Sequence, residues 1–249
     1  MNFDNKVVIV TGASAGIGAA TAIQFAKEGA DVTLVGRNED KLAKVSAECA
    51  KYGKNPLVIK ADVSKDEEAK TIVARTIQTF GKLDVLVNNA GIFIPDDILE
   101  PNYMETFDLT INTNLRPVAL ITNQASPHLI QTKGNIVNVS SIDATMVKIP
   151  KFSAYFASKA AINHFTRCIA LELAPHGVRV NTVSPGPVYT EIFERAGLGG
   201  MIPDMQSSTA LNKISEPEEI ADLILFLASD KAKSVTGSDY VCDNGMILK

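Results

Sequence analysis

From Val7 to Cys242, short apolar runs alternate with helix-length segments. That alternation leaves the chain few ways to fold. Val7-Val8-Ile9-Val10 carries no polar residue, as a parallel strand buried on both faces should. A helix pattern follows from Gly16 to Glu28 and stops at Gly29. The same pairing recurs with strands at Val32 to Val35, Leu57 to Ile59, Val85 to Val87, Ile136 to Val139 and Val178 to Asn181. The intervening helix patterns cover Glu39 to Tyr52, Asp66 to Phe80, one long stretch from about Tyr103 to Ile130, and a segment ending near Leu173. A last helix at Glu218 to Ala228 and a short strand near Tyr240 to Cys242 close the series. Repeated βα units predict an α/β fold, a parallel sheet with helices on both faces. At 249 residues this fits one domain over 1–249. The single long irregular stretch, about 184–214, reads as a lid or substrate loop.

Charge excludes one function class. The formal net charge is −4 and no basic stripe is visible, which argues against a nucleic-acid binder. Cys49, Cys168 and Cys242 are scattered and odd in number, with neither metal-ligand nor disulfide spacing. They suggest a reducing compartment. The first residues run straight into a strand with no signal peptide, and no apolar run is long enough to span a bilayer, so the cytoplasm is the expected location.

Thr11-Gly12-Ala13-Ser14-Ala15-Gly16-Ile17-Gly18 joins the first strand to the first helix. Glycines there permit a tight turn and close approach of a pyrophosphate, and the helix N-terminus offers free N–H groups. The alternative is a plain turn, since the spacing is not the common G-x-G-x-x-G. After the second strand the chain reads Gly36-Arg37-Asn38, where an NAD enzyme would place an acid for the ribose hydroxyl. Arg37 could grip a 2′-phosphate instead, which favours NADP(H) while leaving NAD(H) possible. Arg37 as a solvated loop residue and Asn38 as a helix cap are the plainer readings. Asp62, Asn88-Asn89-Ala90-Gly91, Ser140-Ser141 and Pro185-Gly186 follow successive strands, and ligands of open parallel sheets bind outside those ends.

Tyr155 and Lys159 stand four apart, on one face of a helix. A neighbouring ammonium stabilises a phenolate, so the pair predicts a phenol titrating below its usual value of about 10. Such a Tyr can exchange a proton with an alcohol or a carbonyl oxygen.

Taken together and in order, Thr11-Gly12-x-x-x-Gly16-Ile17-Gly18, Asn88-Asn89-Ala90-Gly91, Ser141, Tyr155-x-x-x-Lys159 and Pro185-Gly186 resemble the short-chain dehydrogenase/reductase family over nearly the whole chain. The overall pattern is similar to 3-oxoacyl-acyl-carrier-protein reductases and related ketone and alcohol reductases. The resemblance implies a doubly wound, Rossmann-like fold with seven parallel strands, a bound NAD(P), and a homotetramer or homodimer. It assigns Tyr155 as general acid/base, Lys159 to the Tyr155 proton and the nicotinamide ribose, Ser141 to the substrate oxygen, and Asn114 to a water beside the lysine. It places Gly12, Ser14, Ala15, Gly16, Ile17 and Gly18 at the phosphates and Asp62 and Val63 at the adenine. Asn88, Ala90 and Gly91 fall on the ribose side, and Val188 and Thr190, after Pro185-Gly186, at the carboxamide.

Strand alternation lets only one of Ser140 and Ser141 face the site, and we take Ser141. Asn112 competes with Asn114. His128, His164 and His176 read as surface or capping residues, Asp108 and Asp143 as structural. Several positions depart from the family pattern. Ser141 and Tyr155 are fourteen apart where thirteen is frequent, Pro117 and Asn244 stand where Gly is frequent, and Ala15 stands where many NADP-preferring members have a base. Phe93, Ile94, Met146, Val147, Ile149, Ile192, Phe193, Met201 and Met205 flank the expected site and predict a lipophilic carbonyl or secondary-alcohol substrate. The alternative to an enzyme is a non-catalytic NADP(H)-binding regulator on the same scaffold.

Overall fold

The computed structural model describes residues 1–249, the side chain of residue 195 excepted. Its centre is a sheet of seven parallel strands in the order β3-β2-β1-β4-β5-β6-β7. The strands are β1 (Val7–Thr11), β2 (Asp31–Gly36), β3 (Leu57–Lys60), β4 (Val85–Asn88), β5 (Asn135–Val139), β6 (Arg179–Pro185) and β7 (Asp239–Cys242). The order reverses between β1 and β4, whose register sets Val8 against Val85 and Ile9 against Leu86. Connections leave those two strands in opposite directions, opening a crevice at their carboxyl ends.

The helices that flank the sheet are α1 (Gly16–Lys27), α2 (Glu39–Ala50), α3 (Asp66–Phe80), α4 (Tyr103–Asn114), α5 (Arg116–Thr132) and α6 (Ser153–Leu173). They are followed by α7 (Glu191–Arg195), α8 (Ile202–Ser207) and α9 (Pro217–Ala228). Side chains of a strand point alternately to its two faces. Val8 and Val10 therefore enter one core with Phe25 of α1, Leu42 of α2 and Ile224 of α9. Val7 and Ile9 enter the other with Ile72 of α3, Leu129 of α5 and Ile169 of α6. A fully buried Leu, Ile or Phe contributes on the order of 1.5–3 kcal/mol, so these two layers hold the scaffold rigid beneath its loops.

Two elements differ from the sequence expectation. The long helix predicted from Tyr103 to Ile130 is two helices, α4 and α5, which part at Leu115. Pro117 lies in the first turn of α5, where a missing N–H costs little, and its ring disfavours an unbroken helix from α4, although Pro127 is accommodated farther along α5. The loop at 184–214 contains α7, a 3₁₀ turn at Gly199–Met201, and α8. Helices of five and six residues are too short to show a period, and Gly197, Gly199 and Gly200 interrupt the pattern between them. Among the described residues no helix is long and apolar enough to cross a membrane.

Candidate active site

The crevice begins at the Gly-rich turn. Gly12 has φ +68°, and a side chain there would stand 2.8 Å from Asn89 Nδ2. At Gly18 a Cβ would fall 2.3 Å from the Gly12 carbonyl oxygen. Both positions thus require glycine, one for its conformation and one for close approach of turn and helix. The β4 end is bound to the same turn: Asn89 N–H donates to Thr11 Oγ1 at 2.9 Å, and Asn89 Nδ2 donates to the Thr11 carbonyl at 2.9 Å. Ala90 N–H also donates to Thr11 Oγ1, at 3.1 Å.

A groove of about 380 Å³ runs from this turn along the carboxyl edge. Gly12, Ser14, Ala15, Gly16, Ile17, Arg37, Asp62, Val63, Ala90, Gly91 and Thr190 all line it. The N-terminus of α1 opens into it without a side-chain cap and without an acid in its first turn. Uncapped N–H groups and the positive end of the helix suit a pyrophosphate, so the residues present fit a dinucleotide. Arg37 is more than half exposed and stands 3.9 Å from Asp62 where the groove passes the ends of β2 and β3. Asn38 caps α2 by accepting from Lys41 N–H, the reading the sequence offered for it. Lys41 Nζ in turn donates to Glu191 at 2.5 and 2.6 Å, joining α2 to α7 over the groove.

A second cavity, of about 320 Å³, continues from Gly91 and Thr190 toward the 184–214 loop. Ser141, Tyr155, Lys159, Pro185, Gly186 and Val188 line it. Tyr155 sits in an aromatic cluster, its ring edge-on to Phe93 at 4.6 Å between centroids, with Phe93 stacked on Phe152 at 4.2 Å. Lys159 is buried; its Nζ lies 5.5 Å from the Tyr155 ring centre and donates to the Val139 carbonyl at 2.9 Å. Burial pulls its ammonium down to about 8, still protonated at neutral pH, and the Asp143 carboxylate resists that fall.

The phenol departs from expectation. Burial raises Tyr155 above its ordinary value, the Asp143 carboxylate adds to the rise, and contact with the Ser141 hydroxyl opposes it. The sequence suggested that Lys159 would lower it. Burial sets the direction instead, and Lys159, whose Nζ donates to the Val139 carbonyl, is not among the groups that shift the phenol.

Ser141 Oγ donates to Asp143 Oδ2 at 3.0 Å and accepts from Asp143 N–H at 3.1 Å, while Ser140 Oγ donates away to the Lys159 carbonyl. Asn114 is fully buried and Asn112 exposed. Asn114 exchanges hydrogen bonds with the Ile92 backbone at 2.8 and 2.9 Å, and its Nδ2 reaches Ser158 Oγ at 3.2 Å, one residue before Lys159. None of the three histidines lines either cavity.

Two expected groove residues lie elsewhere. The Asn88 side chain turns into the sheet, donating to Asn138 Oδ1 at 2.9 Å, and the next residue, Asn89, lines the groove. Gly18 lines neither cavity and serves through close packing alone. Of the apolar set, Phe93, Met146, Ile149, Ile192, Phe193, Met201 and Met205 line the second cavity, Ile94 lines the groove, and Val147 is exposed.

Sequence reasoning read Asp143 as structural, whereas it lines the second cavity, and did not single out Asp96 or the Lys41–Glu191 pair. The Ser-x-Asp spacing at 141–143, which allows a local hydroxyl–carboxylate bond, could have marked Asp143. The partners of Asp96 and Lys41 lie 57 and 150 residues away and leave no local signal.

The model of a family described as enoyl-(acyl carrier protein) reductase matches residues 12–247. A 3-oxoacyl-(acyl-carrier-protein) reductase of Thermotoga maritima is 38% identical over all of both chains. A glucose 1-dehydrogenase of Gluconobacter oxydans is 38% identical over 99% of this chain and 93% of its own. A solved short-chain dehydrogenase of Burkholderia cenocepacia in complex with NADP superposes with a TM-score of 0.93 at 33% identity, covering 99% of this chain and 100% of that one.

Proposed function

We propose that this chain, which belongs to the short-chain dehydrogenase/reductase family of oxidoreductases, moves a hydride between a nicotinamide cofactor and a lipophilic carbonyl or secondary alcohol. The observation that carries the reading is the meeting of Ser141, Tyr155 and Lys159 at the wall of an apolar cavity that opens into a dinucleotide-shaped groove. Bound nicotinamide would supply or accept the hydride. Tyr155 gives its phenolic proton to the substrate oxygen in reduction and takes it back in oxidation. Burial favours the protonated phenol, which suits a donor. Lys159 holds positive charge 5.5 Å from the ring centre of the phenolate left behind, and Asn114 secures the turn of α6 that carries the lysine. Ser141 is the second group within reach of the substrate oxygen.

Arg37, exposed at the groove's adenine end after the small Gly36, favours NADP(H) over NAD(H). Apolar lining by Phe93, Met146, Ile149, Phe193, Met201 and Met205 favours a lipophilic substrate. The chain works as one domain over 1–249, and exposed Met104 and Leu109 on α4 suit burial in a homodimer or homotetramer. Three free cysteines fit the cytoplasm.

A panel of lipophilic ketones and secondary alcohols, run with NADPH and NADH in parallel, tests the reading. Turnover is expected on part of the panel, faster with NADPH. Tyr155→Phe should abolish it and leave cofactor binding intact. Cofactor binding without turnover on any substrate would instead make the protein a non-catalytic NADP(H)-binding regulator.

A further inference from the structure

The Ser141 hydroxyl has one proton to give and two lone pairs. It gives the proton to Asp143 Oδ2 at 3.0 Å, and one lone pair takes the Asp143 N–H at 3.1 Å. An ionised carboxylate only accepts. While Asp143 is ionised, what remains of Ser141 toward the cavity is therefore a lone pair. A ketone oxygen is also an acceptor, so the two do not bond. A neutral Asp143 reverses the arrangement: its own O–H fills the second lone pair of Ser141, and the Ser141 proton is free to turn to the substrate.

We propose that Asp143 is a positioning residue that sets the direction of the Ser141 hydrogen bond. In its ionised state it holds the serine proton, and in its neutral state it releases that proton to a ketone oxygen. The proposal rests on the oxidoreductase reading of the site. Asp143 lies partly buried in the cavity wall. The titratable groups sharing that wall are Tyr155 and Lys159 of α6, Lys148 of the loop before α6 and Asp204 of α8. Burial raises the Asp143 carboxyl above its ordinary value, while the Ser141 bond and the Lys159 charge oppose the rise. The neutral state is thereby brought nearer to working pH than for a solvated aspartate. Asp143 touches neither hydride nor proton acceptor; it acts through Ser141.

Asp143→Asn is the informative variant, because its amide N–H can donate to Ser141 at any pH. For a ketone substrate, wild-type kcat/KM should rise as pH falls through the Asp143 titration, by up to roughly a hundredfold, the scale of one oxyanion donor. Asp143→Asn should lose that rise and exceed the wild type at neutral pH by a similar factor. On a Ser141→Ala background the same substitution should no longer produce that gain at neutral pH, leaving only what losing the Asp143 charge does to Tyr155 and Lys159. A readout free of turnover is the carbon-13 titration of Asp143 in the whole protein, whose midpoint should move up in Ser141→Ala as the carboxylate loses its donor. A pH profile of Asp143→Asn that superimposes on the wild type overturns the proposal, as does an Asp143 midpoint unmoved by Ser141→Ala. If the wild type turns over no ketone at all, the oxidoreductase reading fails instead, and the titration still decides whether Asp143 holds the serine proton.

Discussion

Asp96 Oδ1 accepts from both the backbone N–H and the hydroxyl of Ser153, at 2.9 and 2.8 Å, across 57 residues of sequence. Its Oδ2 takes the Ala154 N–H at 2.9 Å. A buried carboxylate from the β4–α4 connection thus caps α6 two residues before Tyr155, where the positive end of the helix favours a negative charge.

Asp96→Ala should therefore loosen the first turn of α6. Losing a cap of this kind destabilises by about 1–2 kcal/mol. Turnover should fall by about tenfold or more, since small displacements of a catalytic group carry large rate penalties. Urea denaturation and kcat measured side by side check both, with Asp96→Asn recovering part of each.

Lys159 gives a prediction about pH. Its folded value of about 8 lies below the unfolded value of 10.5, so the unfolded chain binds more protons between those limits. Stability from this group therefore rises as pH increases from about 8 to 10.5, and a penalty for the buried charge is present below 8. Lys159→Met removes that penalty. It should be more stable than the wild type at pH 7 by roughly 1–3 kcal/mol while losing turnover. The stability gap should close toward pH 10.5. Denaturant titrations of the two proteins across pH read it directly, and a gap that widens with pH would contradict the burial argument.

Gly18→Ala forces a Cβ to within 2.3 Å of the Gly12 carbonyl, a backbone atom that cannot swing aside. The turn must open. A loss of about 1–3 kcal/mol in stability is expected, the range of strained overpacking. Dinucleotide affinity should drop with it, as followed by NADPH fluorescence.

Arg37→Ala removes the exposed guanidinium at the adenine end without touching either core. The ratio of NADPH to NADH affinity should fall by about tenfold, the modest scale of a solvent-screened charged contact. Stability should change by less than about 0.5 kcal/mol, as for other surface substitutions. An unchanged ratio from parallel titrations would remove Arg37 from the cofactor assignment.

Where the governing interaction is local, the sequence was a good guide. Val7-Val8-Ile9-Val10 and Val85-Leu86-Val87 show their burial on both faces as unbroken apolar runs, and both are central strands. Gly12 and Gly18 show a turn that needs glycine, and Tyr155 and Lys159 share a face because α6 has a fixed pitch. Asn88 and Asn89 were harder to tell apart, because which of two successive strand residues faces the ligand depends on the last pleat before the turn. The break at Leu115 was available from Pro117 alone but was masked by apolar periodicity running through both helices.

Residue order alone settles the alternating βα units, the residue types at the carboxyl edge and a Tyr–Lys pair on one helix face. Only the tertiary structure decided the electrostatics of that pair. Desolvation depends on everything packed around a group; here Phe93 before α4 and the helix holding both residues enclose the phenol, and the Asp143 carboxylate after β5 adds its charge. It raises the Tyr155 phenol where an isolated Tyr–Lys pair would lower it. The same enclosure brings Asp143 against Ser141, and Asp96 to the start of α6.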